Sequence, residues 1–377
     1  MKKITVLGAG MVGRAMAGEL SKKHRVTSAD IDAKALDMLP EEPGIGKMHL
    51  DVTDHEALAS AISGSDIVIS AVPGFLGLQT MEQVIRQKKD LVDISFLPED
   101  AGHLDSLARE MDVTVVMDCG VAPGMPNYIV GYHSERMRID AMEYMVGGLP
   151  KTRTWPFEYK APFSPCDVIE EYTRPARYVE NGRTVVKPAM SDPEKIYFDS
   201  MGTLEAFNTD GLRSLIRTMK HIPDMKEKTL RYPGHINLIM ALRDAGFFGK
   251  EPVAVNGINV TPLDFTSGIL FKAWKLGLEE PEFTVMRIRI RGKEEGVARE
   301  ITYDLYDEYD PEEKVSSMAR TTGFTATGTA EMILNGIFTG KGVFPPELVG
   351  RDEKCFEFII SYLLDRNIHY RASSRNF

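Results

Sequence analysis

The residues best suited to chemistry near the start of the chain are three glycines and one acid. Gly8, Gly10 and Gly13 directly follow a short apolar run, and Asp30 lies about twenty residues beyond the first glycine. Gly8 permits a tight turn, Gly10 lets the backbone approach a pyrophosphate, and Gly13 lets a helix pack closely on a sheet. A carboxylate at the position of Asp30 can accept hydrogen bonds from ribose hydroxyls. This spacing predicts a dinucleotide-binding site.

The glycines need a strand before them and a helix after them. Lys2–Leu7 is β-branched and apolar like a buried strand, and Arg14–Leu20 has helical spacing. A second predicted strand, Arg25–Ala29, ends at Asp30. The free N–H groups at the helix N-terminus would face the phosphates. Because the carboxylate of Asp30 repels a 2′-phosphate, NAD is the predicted cofactor rather than NADP, although the nearby Lys34 softens that preference.

Strands and helices continue to alternate after Asp30. This rhythm indicates a doubly wound, mostly parallel sheet, with further strands predicted at His49–Val52, Asp66–Ala71, Asp90–Ser95 and Asp112–Met117. Ligands of such sheets bind outside the carboxyl ends of the strands, so the predicted loop Val72–Gly77 should border the nicotinamide half of the cofactor. The predicted cofactor-binding residues are Gly8, Gly10, Met11, Val12, Gly13, Asp30, Asp51, Val72 and Pro73.

A proline- and glycine-rich stretch, Asp118–Asn127, predicts a long loop that leaves the nucleotide-binding domain. Beyond it the pattern becomes antiparallel. Ala141–Val146 is predicted as a strand that Gly147-Gly148 breaks, and residues 178–186 as a hairpin with an Asn-Gly turn. From Ser316 onward the apolar periodicity is helical again.

These patterns predict an α/β protein of two domains. Residues 1–123 would form a doubly wound Rossmann domain that binds NAD, completed by residues 317–377. Residues 124–316 would form an α+β domain with a mostly antiparallel sheet, which binds the substrate and forms a homodimer or a higher homo-oligomer.

Composition excludes several classes of function. The formal net charge of −10 argues against nucleic acid as a partner, because a phosphate backbone would be repelled. No apolar run is long enough to span a bilayer, and no signal-peptide core follows Lys2-Lys3, so a cytoplasmic protein without a membrane partner is expected. Cys119, Cys166 and Cys355 are scattered, which favours free thiols in a reducing compartment. No histidine or cysteine cluster has metal-ligand spacing, so no metal is predicted.

The second domain contains short stretches in which a constrained backbone carries polar side chains. They are Gly147–Lys151, Glu170–Arg177, Asn208–Ser214 and Thr229–His235. Together with Pro73–Gly77, Val92–Phe96, Ala122–Gly124, Phe324–Ala326 and Pro345–Glu347, they make nearly the whole chain resemble the saccharopine dehydrogenase-like family. The resemblance is greatest to the branch of this family that oxidises the ε-amine of L-lysine.

This resemblance implies an NAD-dependent oxidative deamination of L-lysine. Hydride would leave Cε for NAD, water would hydrolyse the imine, and the semialdehyde would cyclise to a piperideine carboxylate after ammonia leaves. Two departures separate the chain from saccharopine reductases, which typically carry an acid where Ala122 stands and a cysteine where Val146 stands. A reductive condensation of an amine with an aldehyde, as in saccharopine or carboxynorspermidine formation, is the alternative enzyme. A cofactor-binding regulator without turnover is the alternative from another class.

The implied substrate needs a partner for its α-carboxylate. Arg231 is the leading candidate because a guanidinium binds a carboxylate bidentately, and Tyr232 beside it is a further predicted contact. The alternative for Arg231 is an ion pair with a neighbouring acid. Asp210 either holds the substrate amine or caps the helix predicted at residues 212–220.

The implied reaction also needs a base for the ε-ammonium, and three residues are candidates. His235 starts near the working range of pKa, although it equally suits a helix start with backbone partners. Lys151 would need a pKa depressed by burial. Asp93 ends a predicted strand, where functional acids collect, but it could instead brace a loop or cap a helix.

Overall fold

A computed structural model describes residues 1–97, 99–163 and 165–377, except for the side chains of residues 165–167. The strands, in chain order, are β1 Lys3–Leu7, β2 Arg25–Asp30, β3 Ile45–His49, β4 Ile67–Ser70, β5 Asp90–Asp93, β6 Thr114–Val116, β7 Arg138–Pro150, β8 Ala176–Glu180, β9 Arg183–Lys187, β10 Glu194–Phe198, β11 Gly202–Asn208, β12 Asp224–Arg231, β13 Val253–Val255, β14 Ile258–Val260, β15 Glu282–Glu294, β16 Val297–Glu308, β17 Gly342–Phe344 and β18 Tyr370–Asn376.

The helices are α1 Met11–Ser21, α2 Ala33–Asp37, α3 His55–Ile62, α4 Gly74–Arg86, α5 Asp105–Glu110, α6 Met125–Ser134, α7 Pro165–Thr173, α8 Leu215–Thr218, α9 His235–Asp244, α10 Pro262–Ala273, α11 Ser317–Leu334, α12 Pro346–Val349 and α13 Glu353–Leu364, with a 3₁₀ helix at Ala101–Leu104. Within the described part of the chain, no helix has the length and apolar character needed to cross a membrane.

Contacts between residues divide the chain into two compact units. The first unit contains Met1–Ile139, Lys293–Val297 and Met318–His369, and the second contains Asp140–Gly292, Ala298–Ser317 and Tyr370–Phe377. This division differs from the predicted domains at residues 124–139, 293–297 and 370–377, and by one residue at Ser317. Residues 124–139 belong to the first unit because α6 packs on α12, and the last strand belongs to the second unit because β18 pairs with β16.

The first unit contains a seven-stranded sheet in the order β17-β6-β5-β4-β1-β2-β3. All of its strand pairs are parallel. The central strands are largely buried; all four residues of Ile67–Ser70, for example, are buried, as expected for strands between two layers of helices. The predicted doubly wound parallel sheet is confirmed.

The second unit contains a nine-stranded mixed sheet. Its main path is β10-β11-β12-β7-β15-β16-β18, and β8 pairs with both β12 and β9. The β12–β7 pair is parallel, whereas β10–β11, β11–β12, β12–β8, β8–β9 and β16–β18 are antiparallel. The predicted α+β unit with a mostly antiparallel sheet is therefore confirmed. A separate two-stranded sheet is formed by β13 and β14.

The predicted Asn-Gly hairpin is confirmed. Asn181 and Gly182 join β8 to β9 with φ values of 49° and 73°. Positive φ at both central residues is the geometry of a type I′ turn, whose twist matches the twist of the strands.

Four predicted boundaries are wrong. β7 does not break at Gly147-Gly148 but continues to Pro150. A side chain at Gly147 would collide with Leu230 on the neighbouring β12. The glycine thus permits close strand packing instead of ending the strand. The strand predicted at His49–Val52 lies earlier in the chain, as β3 at Ile45–His49. β3 is at the edge of the sheet and largely exposed, so it has no apolar run by which it could be recognised.

The other two wrong boundaries are those of the two predicted loops of the first unit. α4 already begins at Gly74, and a side chain at Gly77 would lie 2.7 Å from Ser95 Cβ, so this glycine brings the helix close to the chain after β5. The predicted loop Asp118–Asn127 is also shorter, because α6 begins at Met125.

Candidate functional site

The turn between β1 and α1 has the geometry that the glycine spacing predicted. Gly8 has φ of 99°, and a Cβ there would lie 2.6 Å from Ala71 O. A Cβ at Gly13 would overlap Gly8 O, so both positions require glycine. Nothing lies within 4 Å of the position of a Cβ at Gly10, which leaves space for a ligand beside the backbone. α1 starts at Met11 with no side chain capping its first N–H groups, as an anion site requires.

Asp30 lies at the end of β2 and faces this turn. Its Oδ2 accepts a hydrogen bond from Ala9 N at 2.6 Å, and its Oδ1 accepts one from Asp32 N at 2.8 Å. Each carboxylate oxygen keeps a second lone pair, so the group can still accept from a ribose hydroxyl. The glycine turn, the helix N-terminus and this acid together fit a dinucleotide. Met11 and Val12 supply the first N–H groups of the helix.

The other predicted cofactor residues lie at the carboxyl ends of β3 and β4. Asp51 accepts hydrogen bonds from Thr53 N at 2.9 Å and Thr53 Oγ1 at 2.7 Å, and these bonds lower the pKa of its carboxyl. Val72 is buried, and Pro73 precedes the first residue of α4. Asp51 thus braces its own loop, while its exposed position leaves it accessible to a ligand.

Asp93 ends β5 and is completely buried. Its carboxylate accepts hydrogen bonds from Ser95 N at 3.0 Å and Ser95 Oγ at 2.8 Å, so it does brace the loop that follows the strand. Burial raises its pKa to about 7, against the opposing effect of the serine hydroxyls. A carboxyl with this pKa gains and loses its proton near neutral pH, which a general base requires.

Arg231 lies at the centre of a buried cluster in the second unit. It is the last residue of β12, and its side chain is 2% exposed. Its guanidinium donates to Glu171 Oε2 at 2.7 Å, Tyr172 Oη at 3.0 Å and Leu230 O at 2.9 Å. Its Cζ lies 4.4 Å from the centre of the Tyr159 ring. The alternative predicted for Arg231, an ion pair with a neighbouring acid, is the arrangement in the structure.

His235 belongs to the same cluster. Its Nδ1 lies 2.8 Å from Phe157 O and its Nε2 lies 2.9 Å from Tyr172 Oη. Because a carbonyl only accepts, the proton is on Nδ1, and Nε2 accepts from the tyrosine. Burial, reinforced by the charge of Arg231, lowers the pKa of His235 to about 3. A directional chain of hydrogen bonds therefore runs from Arg231 through Tyr172 and His235 to Phe157.

Two further predicted residues, Tyr232 and Lys151, have partners outside this cluster. Tyr232 donates to Pro150 O at 3.0 Å. The ammonium of Lys151 pairs with Glu308 at 2.5 Å, and its side chain is 40% exposed. Lys151 is therefore a partly exposed, paired lysine and not the buried one that the predicted base requires.

The predicted capping role of Asp210 is wrong. α8 begins at Leu215 with Ser214 as its N-cap residue. Asp210 instead accepts from Arg177 through both carboxylate oxygens, at 2.8 Å each, and from the backbone N of Arg177 at 3.1 Å. The bidentate pair links β8, which contains Arg177, to the segment after β11, which contains Asp210.

Sequence reasoning assigned no role to Glu227, which is buried in the middle of β12. Its Oε2 accepts from Thr209 Oγ1 at 2.7 Å and from Gly211 N at 3.0 Å. Burial raises its pKa to about 8, and the negative charges of Glu171 and Asp210 contribute. The sequence did contain a signal for Glu227, because a charged residue on a buried strand requires a compensating partner. The signal was missed because the strand was not identified as buried.

The two cysteines whose side chains the structure describes are buried thiols without an activating partner. Cys119 and Cys355 are free and buried, and burial raises the pKa of each thiol to about 12. Cys119 lies 3.0 Å from Thr329 Oγ1. The prediction for Cys166 concerns a side chain outside the described residues.

Comparison with known proteins agrees with this two-part organisation. Residues 4–116 match the saccharopine dehydrogenase NADP binding domain, and residues 120–368 match the saccharopine dehydrogenase C-terminal domain. The chain belongs to the saccharopine dehydrogenase family. The resemblance found in the sequence is thus confirmed at the level of the family, and with it a domain for a nucleotide cofactor.

Individual relatives are distant. The chain is similar to saccharopine dehydrogenase (NADP⁺, L-glutamate-forming) of Saccharomyces cerevisiae, with 26% identity over 264 residues that cover 66% of this chain and 59% of the relative. Mitochondrial alpha-aminoadipic semialdehyde synthase of Mus musculus is 22% identical over 419 residues, covering 92% of this chain and 45% of the relative. The chain therefore spans about half the length of the curated relatives it matches.

The fold is shared with a solved member of the family. The apo structure of saccharopine dehydrogenase (L-Glu forming) from Saccharomyces cerevisiae matches with a TM-score of 0.82 and 20% identity, and the match covers 100% of both chains. At this identity the similarity establishes the common fold.

Proposed function

We propose that this protein is an NAD-dependent dehydrogenase that removes the ε-amine of L-lysine. The observation that carries the proposal is a face of β12 with a cation at one end and an acid at the other. Side chains alternate along a strand, so Glu227, Thr229 and Arg231 point to the same side. Thr209 Oγ1 bonds to both Glu227 and Thr229, which agrees with this alternation.

The spacing of these charges suits a bipolar amino acid. Four residues of extended strand separate the Cα atoms of Glu227 and Arg231 by about 13 Å. An α-carboxylate at the guanidinium would then leave the ε-ammonium of lysine directed towards Glu227. Glu171 lies next to both ends, since it pairs with Arg231 and its charge raises the pKa of Glu227.

The local charge also favours lysine over saccharopine. Besides Arg231, three cations of the polar stretches have carboxylate partners: Lys151 with Glu308, Arg174 with Glu170, and Arg177 with Asp210. Glu227 instead accepts from a hydroxyl and a backbone N–H. Lysine carries a net charge of +1 and saccharopine, with three carboxylates, carries −1. An ammonium bound beside Glu227 would stabilise its carboxylate and oppose the burial that raises its pKa to about 8, so this group suits a substrate of net positive charge.

The roles of the residues follow from these contacts. Arg231 holds the α-carboxylate and Glu171 lies where it can accept from the α-ammonium. Asp210 and Tyr232 position the chain around this region through Arg177 and Pro150. The ε-ammonium must lose a proton before the C–H bond at Cε is broken, and the bound NAD supplies the hydride acceptor.

Among the three sequence candidates for the base, Asp93 has a pKa of about 7, which matches the task, whereas neutral His235 already accepts from Tyr172 and Lys151 is paired with Glu308. The choice of NAD rests on Asp30, whose carboxylate would lie close to a 2′-phosphate and repel it. We also propose a cytoplasmic location and a homo-oligomer.

Incubation of the purified protein with one amine and one cofactor tests the proposal. The absorbance of the reduced nicotinamide should rise with NAD and L-lysine, and rise far less with NADP and L-lysine. The Arg231→Ala variant should lose about 2–5 kcal/mol of substrate binding, the cost of removing one partner of a charged hydrogen-bonded pair. Glu227→Gln should raise the KM for lysine. An unchanged KM for lysine in both variants would contradict the assignment of the β12 face.

Saccharopine oxidation is the second candidate function, and the named activity of the yeast relative supports it. Its signature would be reduction of the cofactor with saccharopine and none with lysine. That result would replace the leading proposal. Binding of NAD without turnover of any amine would instead favour a cofactor-binding regulator.

A further inference from the structure

A short hairpin of the second unit exposes an apolar face. β13 and β14 pair in a register that places Val253 opposite Val260 and Val255 opposite Ile258, so these four side chains share one face. Val253, Val255 and Ile258 are 50–67% exposed. A two-stranded hairpin that belongs to no larger sheet is marginally stable in water, and three-residue strands are at the short limit.

The helix that follows has a second exposed apolar face. α10 starts at Pro262, directly after the hairpin, and buries Thr266 and Leu270 on one side. Its exposed residues lie at helical spacing on another side: Asp264, Phe265, Gly268, Ile269, Lys272 and Ala273. Phe265 is 59% exposed and Ile269 is 53% exposed.

Gly268 is an unexpected residue in the middle of this exposed face. Glycine inside a helix costs about 0.5–1 kcal/mol relative to alanine. Nothing lies within 4 Å of the position that a Cβ would occupy at Gly268, so packing within the chain does not require glycine. A missing side chain on an exposed helix face allows the backbone of another helix to approach closely.

The charges around Gly268 are arranged so that a second copy of the same helix would complement them. Asp264 and Lys272 lie at equal sequence distances on either side of Gly268. If two copies of α10 cross in antiparallel fashion at Gly268, Asp264 of one protomer faces Lys272 of its partner, and the two-fold axis repeats the pair. Within the described part of the chain, neither Asp264 nor Lys272 has a hydrogen-bond or ion-pair partner.

The exposed area is of the size that a dimer interface needs. With about 150–200 Å² for a whole side chain of this kind, the five exposed apolar residues present about 500 Å². A standard interface buries about 800 Å² per partner, of which about 56–65% is apolar, or about 450–520 Å². We propose that α10 and the β13–β14 hairpin form a two-fold interface with a second copy of this chain, centred on Gly268. This inference does not depend on the proposed activity.

Sedimentation velocity of the full chain over a range of concentrations tests the interface. The unmodified protein should be a dimer at micromolar concentration. Ile269→Lys should raise the dissociation constant at least tenfold, because it places an ammonium in the apolar centre. Leu364→Lys, at a residue that is 52% exposed on α13, is the matched control and should leave the dimer intact. Far-UV circular dichroism confirms that each variant is folded.

Charge reversal gives the sharper test, because it depends on the two-fold geometry. Asp264→Lys alone and Lys272→Asp alone should each weaken the dimer several-fold by placing like charges opposite each other. The double variant restores opposite charges across the axis and should recover most of the lost affinity. A monomeric unmodified protein would overturn the proposal. So would a dimer that Ile269→Lys leaves unchanged, or single reversals that the double variant fails to rescue.

Discussion

Replacing Arg231 with leucine tests how strongly the buried cluster stabilises the second unit. The guanidinium is 2% exposed and donates to Glu171, Tyr172 and the carbonyl of Leu230. Breaking a buried ion pair by removing one partner costs about 3–5 kcal/mol, because the remaining charge is left in a poorly solvated position. The Glu171 side chain is 22% exposed, so water can hydrate it in part. We therefore expect a loss near the lower end, about 3 kcal/mol in the free energy of unfolding.

The fluorescence of Trp274 provides a local measurement of this change. The chain has two tryptophans; Trp274 is completely buried with its ring centre 6.1 Å from that of Tyr172, whereas Trp155 is 81% exposed. Urea unfolding in a Trp155→Phe background therefore reports on the cluster around Arg231.

Arg174→Leu is the matched control for this measurement. Arg174 pairs with Glu170 one helical turn away, at side-chain exposures of 22% and 48%, and its loss should cost about 0.5 kcal/mol or less. A loss below about 1 kcal/mol for Arg231→Leu, or a loss equal to that of the control, would refute the view that the buried pair stabilises the unit.

Three further predictions concern the cofactor and pH. Asp30→Ala should raise the KM for NAD and relax the discrimination against NADP, measured as the ratio of kcat/KM values; an unchanged ratio would remove Asp30 from the ribose site. If Asp93 is the base, kcat/KM for lysine should fall below pH 7, its pKa being about 7, and Asp93→Asn should lose activity; an active variant with the same pH profile would exclude it. His235 has a folded pKa of about 3, depressed from its ordinary value, so the unfolded chain binds the proton first as the pH falls below about 6.5. The contribution of His235 to the free energy of unfolding should therefore be fully present at pH 7 and about 2 kcal/mol smaller at pH 5. Thermal unfolding should show a smaller decline between these pH values in His235→Phe.

Much of the first unit was predictable because its signals are local. The turn at Gly8, the start of α1 and the acid at the end of β2 all depend on residues within one βαβ segment. The Asn181-Gly182 turn is local in the same way, since two residues determine its backbone geometry. Boundaries failed at Gly74 and Gly147, where glycine serves close packing with a distant segment and resembles a chain break in the sequence.

The partners of the polar side chains in the second unit could not be predicted from local patterns. Asp210 looked like a helix cap, but its partner, Arg177, is contributed by β8. Glu227 could not be recognised as a buried acid because the burial of β12 depends on strands and loops far away in the sequence.

The sequence by itself therefore determined the nucleotide-binding turn, the alternation of strands and helices and the family. Only the tertiary structure decided that Arg231 pairs with Glu171, that His235 is neutral and that Glu227 lies on the same face of β12 as Arg231. The physical reason is that a turn is specified by the conformational preferences of its own few residues. The charge state and the partner of a buried group depend instead on desolvation and on contacts between elements that only folding brings together.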